Sequence, residues 1–180
     1  QTHYIPVIGG STPFAMRAIA EAFEGDIHEG DVFVLNDPYS GNNHPPDITV
    51  AKPVFWEGQL RSWAMAKGHH ADVGGGGVAG YNPAAKDIWE EGLRIPPAKL
   101  YERGKYRQDL WQMILLNVHI PFLVEGDLHC QVGAVTIGER GLLGLLRKYG
   151  PETLEKAVDE LLAATERQMR EEIRKIPNGL

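Results

Sequence analysis

Cysteine is almost missing from this chain: Cys130 is alone in 180 residues. A single thiol cannot form an internal disulfide, so the fold has to be held by its core, and a reducing, cytoplasmic setting is expected. Cys130 sits among apolar residues and reads as a buried thiol. No stretch approaches the roughly 18 consecutive apolar residues that a bilayer-spanning helix needs. The opening Gln1-Thr2-His3-Tyr4-Ile5-Pro6 has neither the basic nor the apolar region of a signal peptide. No basic run stands out, and the formal net charge is -6 with both signs mixed along the chain. Nucleic-acid binding, which needs a basic stripe against the phosphates, is therefore not expected, and neither is a membrane partner. Internal repeats and low-complexity tracts are also missing.

Two catalytic signatures are absent as well. No G-x-x-x-x-G-K-[ST] stretch exists, so the four-glycine run Gly74-Gly75-Gly76-Gly77 is not a phosphate loop. It reads instead as a place where backbone approaches a ligand, or as a lid. No G-x-S-x-G elbow exists either, which removes the serine-hydrolase reading.

What is present is ordinary globular composition, 43% hydrophobic and 23% charged, enough for one domain or two small ones. The chain starts at Gln1 and stops at Ile176-Pro177-Asn178-Gly179-Leu180, and both ends read as cuts through a longer protein. Thr12-Pro13 followed by Phe14, Ala15, Ile19, Ala20 and Phe23 predicts a helix, with the Thr oxygen as its cap. Residues 31–35 predict a buried strand. Two more strands are expected over 48–55 and 60–66, joined by a turn at Trp56-Glu57-Gly58-Gln59. Residues 68–83 read as a glycine-rich loop. Arg107 to Val118 predicts a helix, and Asp127 to Tyr149 a long helix or a helix pair, interrupted by Gly133, Gly138, Gly141 and Gly144. Pro151 opens a last helix with Leu154, Val158, Leu161, Leu162, Met169 and Ile173 along one face. The expected fold is mixed α/β: a strand-rich part, 1–106, carrying functional loops, and a helical part, 107–180.

Chemistry concentrates in two loops beside strand ends, His44-Pro45-Pro46-Asp47 and Gly68-His69-His70-Ala71-Asp72. Neutral imidazole nitrogen with anionic carboxylate oxygen suits a divalent ion such as zinc or manganese. The plainer alternative is a set of hydrogen-bonded loop histidines. Asp37, just after the first strand, either orients a ligand or ends the strand in an Asx-type turn. His119 and His129 offer a further ligand or base, or are structural.

In order along the chain, Gly30-Asp31-Val32-Phe33-Val34-Leu35-Asn36-Asp37-Pro38-Tyr39, His44-Pro45-Pro46-Asp47-Ile48-Thr49-Val50, Gly68-His69-His70-Ala71-Asp72-Val73-Gly74-Gly75 and Ile88-Trp89-Glu90-Glu91-Gly92-Leu93-Arg94-Ile95-Pro96-Pro97 resemble the hydantoinase B/5-oxoprolinase family. The resemblance implies a piece of a larger metal-binding subunit of an ATP-dependent enzyme. Such an enzyme hydrolyses a lactam or cyclic imide, such as a hydantoin or 5-oxoproline, or carboxylates a ketone; a non-catalytic structural subunit is the remaining alternative. It implies His44, Asp47 and His69 as metal ligands, with a further acidic ligand upstream; Asp37 and His70 are read beside them as catalytic residues in orienting or base roles. It also implies a hydantoinase A-type partner that binds ATP and Mg, and a small carbonyl substrate. Departures are Gly41-Asn42-Asn43 for the family's Gly-Gly-Thr, Tyr4-Ile5-Pro6-Val7-Ile8 for His-Ile-Pro-Val-His, and His119 for a common Arg. They bear on the substrate rather than the metal, and the Asn-Asn-His-Pro-Pro form points towards the carboxylases.

Overall fold

The structure is a computed structural model that describes residues 9–77, 82–177 and 179. The Tyr4 to Ile8 stretch and part of the 68–83 loop lie outside the described residues. Two compact units divide at Arg140 and Gly141.

The first unit is built on a five-stranded, wholly antiparallel sheet. Its strands are β1 (Val32–Leu35), β2 (Asp47–Trp56), β3 (Gln59–His69), β4 (Ala98–Glu102) and β5 (Lys105–Tyr106), in the order β3-β2-β1-β4-β5. The β2–β3 hairpin dominates. Glu57 and Gly58 both have positive φ, 51° and 75°, which gives the turn the twist that matches its flanking strands. Ten cross-strand pairs then run back to Asp47 opposite His69 at the open end of the hairpin. β4 and β5 carry no strand signal in the sequence, yet β4 lies directly beside β1.

Alternation along the strands divides the sheet into two faces. Phe33, Leu35 and Ala51 pack with Ala15 and Ile19 of α1 (Thr12–Ala22), flanked by Met16, Phe23, Trp63 and Met65. Each fully buried Phe or Leu contributes about 1.5–3 kcal/mol. Helix α1 begins where the sequence indicates, but Thr12 is not its cap. Ser11 holds the cap position and makes no capping bond with its side chain. A short helix α2 (Ile88–Glu91), capped by the Asp87 carboxylate, follows the glycine-rich loop.

The opposite face meets α4 (Pro121–Tyr149), which follows α3 (Gln108–Leu116). Gln131 of α4 donates through Nε2 to the carbonyls of Ile48 (2.9 Å) and Ala66 (3.3 Å). Gly138 lies against Ala64, and Glu139 pairs with Lys52 at 2.7 Å. Helix α4 starts at Pro121, six residues before the expected Asp127, and its five glycines do not break it. Pro fits a first turn, and each of those glycines keeps ordinary helical φ. Cys130 is exposed, not buried: it lies on α4 next to exposed His129, between buried Leu128 and Gln131, which face inward.

The second unit holds the end of α4 and helix α5 (Pro151–Arg174). Its apolar residues are where the periodicity puts them, but α5 buries none of them. Among the described residues no helix is long and apolar enough to cross a membrane.

Candidate metal centre

The loop from Leu35 to Asp47 carries the first half of the site, and two buried asparagines set its path. Asn36 donates to the carbonyls of Pro45 (2.7 Å) and Leu93 (2.8 Å) and accepts from the Ile95 amide at 2.6 Å. Asn42 donates to the carbonyls of Asn36 (2.8 Å), His44 (3.1 Å) and Asp47, and accepts from the Thr49 hydroxyl at 3.2 Å. Between them, Pro38–Ser40 form one 3₁₀ turn that ends at Gly41 with φ 85°. A Cβ at Gly41 would sit 2.6 Å from the Phe14 carbonyl carbon, so only glycine lets the loop pass α1 this closely.

The strapped loop delivers His44 and Asp47; the register of β2 against β3 delivers His69. Asp47 is completely buried. Its Oδ1 lies 3.0 Å from His44 Nε2 and 2.9 Å from His69 Nδ1, and the two imidazole rings are 5.0 Å apart, centroid to centroid. One ligand atom from each residue falls within 4.8 Å of the other two. Asp47 Oδ2 is buried and accepts no hydrogen bond among the described residues. A buried carboxylate oxygen without a donor is costly, and a cation beside it would remove that cost. Two neutral nitrogens and one carboxylate form a donor set that zinc or manganese accepts. The histidine side chains are 37% and 49% exposed, so solvent or substrate reaches the site from that side.

The other candidates lie apart from this triad. His70 follows His69 but faces the other way, 2% exposed, with Nε2 2.8 Å from Gln131 Oε1. Gln131 spends its amide nitrogen on two carbonyls, so its oxygen accepts and His70 carries its proton on Nε2. Burial pushes the His70 pKa below the usual histidine value and keeps the ring neutral. Asp37 pairs with Arg94 (2.9 Å) and also accepts from the Tyr39 amide and the Ser40 hydroxyl. Burial pushes its pKa up, but Arg94 and the two smaller donors outweigh this, and the net shift is downward. Asp72 accepts from the amides of Gly74 (2.9 Å) and Ile120 (2.6 Å) and lies 3.1 Å from His119 Nδ1. His119 is thus taken up in bracing a loop. His129 stacks on Trp111, with centroids 4.6 Å apart.

Asn42, Lys67 and Gln131 shape the site but carry no motif. Lys67 alone left a trace: Trp63, Met65, Lys67 and His69 alternate, which places a lysine on the face of the sheet that bears the core.

The hydantoinase B/oxoprolinase family profile matches residues 1–180. The beta chain of the caprolactamase of Pseudomonas jessenii is 43% identical over 175 residues, covering 97% of this chain and 30% of that one. The B-type chain of a putative D-/L-hydantoinase of Pseudomonas sp. strain NS671 is 33% identical over 183 residues, 99% of this chain and 31% of that one. The crystal structure of the ATP-dependent caprolactamase from Pseudomonas jessenii superposes with a TM-score of 0.90 at 43% identity, covering 99% of this chain and 31% of that one. The chain therefore spans about three tenths of the length of these relatives.

Proposed function

We propose that this chain, which belongs to the hydantoinase B/oxoprolinase family, supplies the metal-holding part of an ATP-dependent enzyme that hydrolyses a lactam or cyclic imide. The observation that carries this reading is the convergence of His44 and His69 on one oxygen of the buried Asp47 carboxylate, whose other oxygen has no donor among the described residues. Likeness to a caprolactamase chain at 43% identity favours a cyclic amide over a ketone.

His44 and His69 hold the ion through neutral imidazoles, and Asp47 supplies the compensating charge. A bound zinc or manganese ion supplies Lewis-acid polarisation of the substrate carbonyl. Asn42 keeps the His44 and Asp47 backbone fixed, so the two donors are preorganised. An ion held by these three residues would be met by substrate or water from the exposed side of the histidines. His70 and Asp37 act by positioning. The His70 amide donates to the Pro46 carbonyl at 2.8 Å while its ring is anchored on Gln131, which fixes the end of β3 next to His69. Asp37 anchors Arg94 beside the loop. ATP and its Mg bind a partner of the hydantoinase A type, where phosphorylation of the carbonyl supplies the driving force.

The test is elemental analysis of the intact complex, paired with ATP turnover on caprolactam, hydantoin, 5-oxoproline, acetone and acetophenone. About one zinc or manganese per chain, with turnover on a cyclic amide, is expected. Bicarbonate incorporated into product selects the ketone carboxylase instead. No stoichiometric transition metal, together with full activity in His44→Ala, leaves only a structural role.

A further inference from the structure

Arg94 spends only one side-chain N–H inside the fold. Its Nε donates to the Asp37 carboxylate at 2.9 Å, and Asp37 also accepts from the Tyr39 amide and the Ser40 hydroxyl. The N–H groups on the two terminal nitrogens of Arg94 meet no acceptor among the described residues. Two aromatic rings flank the guanidinium, whose Cζ lies 5.0 Å from the centroid of Tyr39 and 6.0 Å from that of Trp89. Both rings are exposed, Trp89 by 71%.

Arg94 and Trp89 line an open cleft of about 530 Å³ together with Gly75 and Gly92. The two glycines contribute bare backbone, and packing requires it. A Cβ at Gly75 would lie 2.6 Å from the Glu90 carbonyl oxygen, and one at Gly92 would lie 2.6 Å from Val73 Cγ2. The Gly76 amide donates to the Glu90 carbonyl (2.9 Å) and the Leu93 amide to the Val73 carbonyl (2.7 Å), which fastens the two segments together. The cleft is therefore preformed. None of His44, Asp47 and His69 lines it.

To brace its loop, Arg94 needs only the bond to Asp37. That bond also fixes the guanidinium, and the planar fork of a fixed arginine can take two oxygens of a carboxylate or phosphoryl group at once. The exposed indole beside it gives a flat or apolar body a surface to cover.

We propose that this cleft is a second ligand site, separate from the metal triad, for an organic anion: Arg94 takes its carboxylate or phosphoryl oxygens, and Trp89 covers its apolar body. The site stands whether or not the triad holds a metal.

The test is calorimetric titration of the intact complex, wild type and His44→Ala, with benzoate, acetate, phenyl phosphate and inorganic phosphate. Benzoate against phenyl phosphate distinguishes the two anionic groups. At least one of these aromatic anions should bind saturably in both proteins, roughly fivefold tighter than its bare counterpart. Arg94→Gln should weaken that affinity by about tenfold or more. Trp89→Ala should weaken it by roughly fivefold, to the level of the bare anion. An affinity that either substitution leaves unchanged overturns the proposal, and so does a wild-type complex that binds neither aromatic anion. Binding that disappears in His44→Ala overturns it too, because the anion then sits at the triad. Trp89 is exposed on the short helix α2, so Trp89→Ala decides alone should Arg94→Gln not fold. A complex without metal sinks the proposed function and leaves anion binding at Arg94 as it was, so the two failures are separable.

Discussion

At the residue scale, Asp47 carries both the benefit and the cost of the site. Its carboxylate is fully buried, both imidazoles meet the same oxygen, and the second oxygen has no donor among the described residues. Asp47→Asn keeps the shape and removes the charge, so metal affinity should fall by about a hundredfold or more, read by competition with a chromophoric chelator. The same change should leave stability in excess EDTA equal or higher, because a buried carboxylate that lacks a donor no longer has to be desolvated. A large loss of stability in EDTA would mean that Asp47 is a structural anchor. Asn42→Ala should behave in the opposite way. It frees three carbonyls and a hydroxyl in a buried loop and should cost about 2–3 kcal/mol in urea unfolding, with or without metal. The contrast also marks what could be read in advance. His44, Asp47 and His69, the ligand set that the family resemblance implies, do come together in the structure, whereas their residue types and loop setting alone left hydrogen-bonded loop histidines open. Asn42 was not legible, because an asparagine in a turn-rich segment looks the same whether it faces water or closes four hydrogen bonds, three of them buried. Lys67 reaches across 56 residues to Ser11, a separation no local pattern encodes.

At the element scale, the β2–β3 hairpin converts two distant motifs into one site. Its tight turn sets the register, and the register places Asp47 opposite His69 ten pairs away. That hairpin was visible in the alternation and in Glu57-Gly58. β4 was not: it follows Pro96-Pro97, carries Lys99 and Glu102, and becomes a strand by pairing with β1 more than sixty residues earlier. Helix α4 resolves an alternative the sequence left open, since it runs unbroken through the glycines that also allowed a helix pair. Gly126 and Gly133 have ordinary helical φ and open space where a Cβ would go. Gly126→Ala and Gly133→Ala should each stabilise by roughly 0.5–1 kcal/mol, measured as a shift in urea midpoint. Gly75→Ala should destabilise instead, since its φ is 84° and a Cβ would lie 2.6 Å from the Glu90 carbonyl oxygen. Asp72 links the segment after β3 to the junction of α3 and α4. Burial pushes its pKa up, but the Gly74 and Ile120 amides and His119 outweigh this and hold it below the usual carboxylate value. The native pKa thus lies below the unfolded one. The stabilisation is complete above the ordinary carboxylate range and disappears as pH falls through the native value. Asp72→Asn should therefore be less stable than wild type at pH 7, with the gap closing under acid. A gap that stays constant from about pH 7 to about pH 2.5 in urea titrations would refute that assignment.

At the scale of the whole molecule, apolar periodicity proved a sound guide to helix position and a poor guide to burial. In α5, Leu154, Val158, Leu162, Thr165, Met169 and Ile173 recur at steps of four, four, three, four and four, which keeps them on one face of a straight helix. Yet Val158, Leu161, Leu162, Met169 and Ile173 are 49–69% exposed, and no residue of the helix is buried. Its stability in this chain then rests on backbone propensity and on surface pairs such as Glu166–Arg170, N to O 2.8 Å, each contributing about 0.3–0.5 kcal/mol. A helix of 24 residues held that way opens easily. The central strands β1 and β2 bury nearly every side chain and exchange only when the sheet itself opens. Hydrogen exchange followed by mass spectrometry should therefore divide the chain sharply. Peptides spanning 151–174 should exchange at least about a hundredfold faster than those spanning 32–35 and 47–56. Equal protection in both would require a partner surface over the α5 stripe under the conditions of the measurement, and the rate should then change with protein concentration if that surface is another copy of the chain.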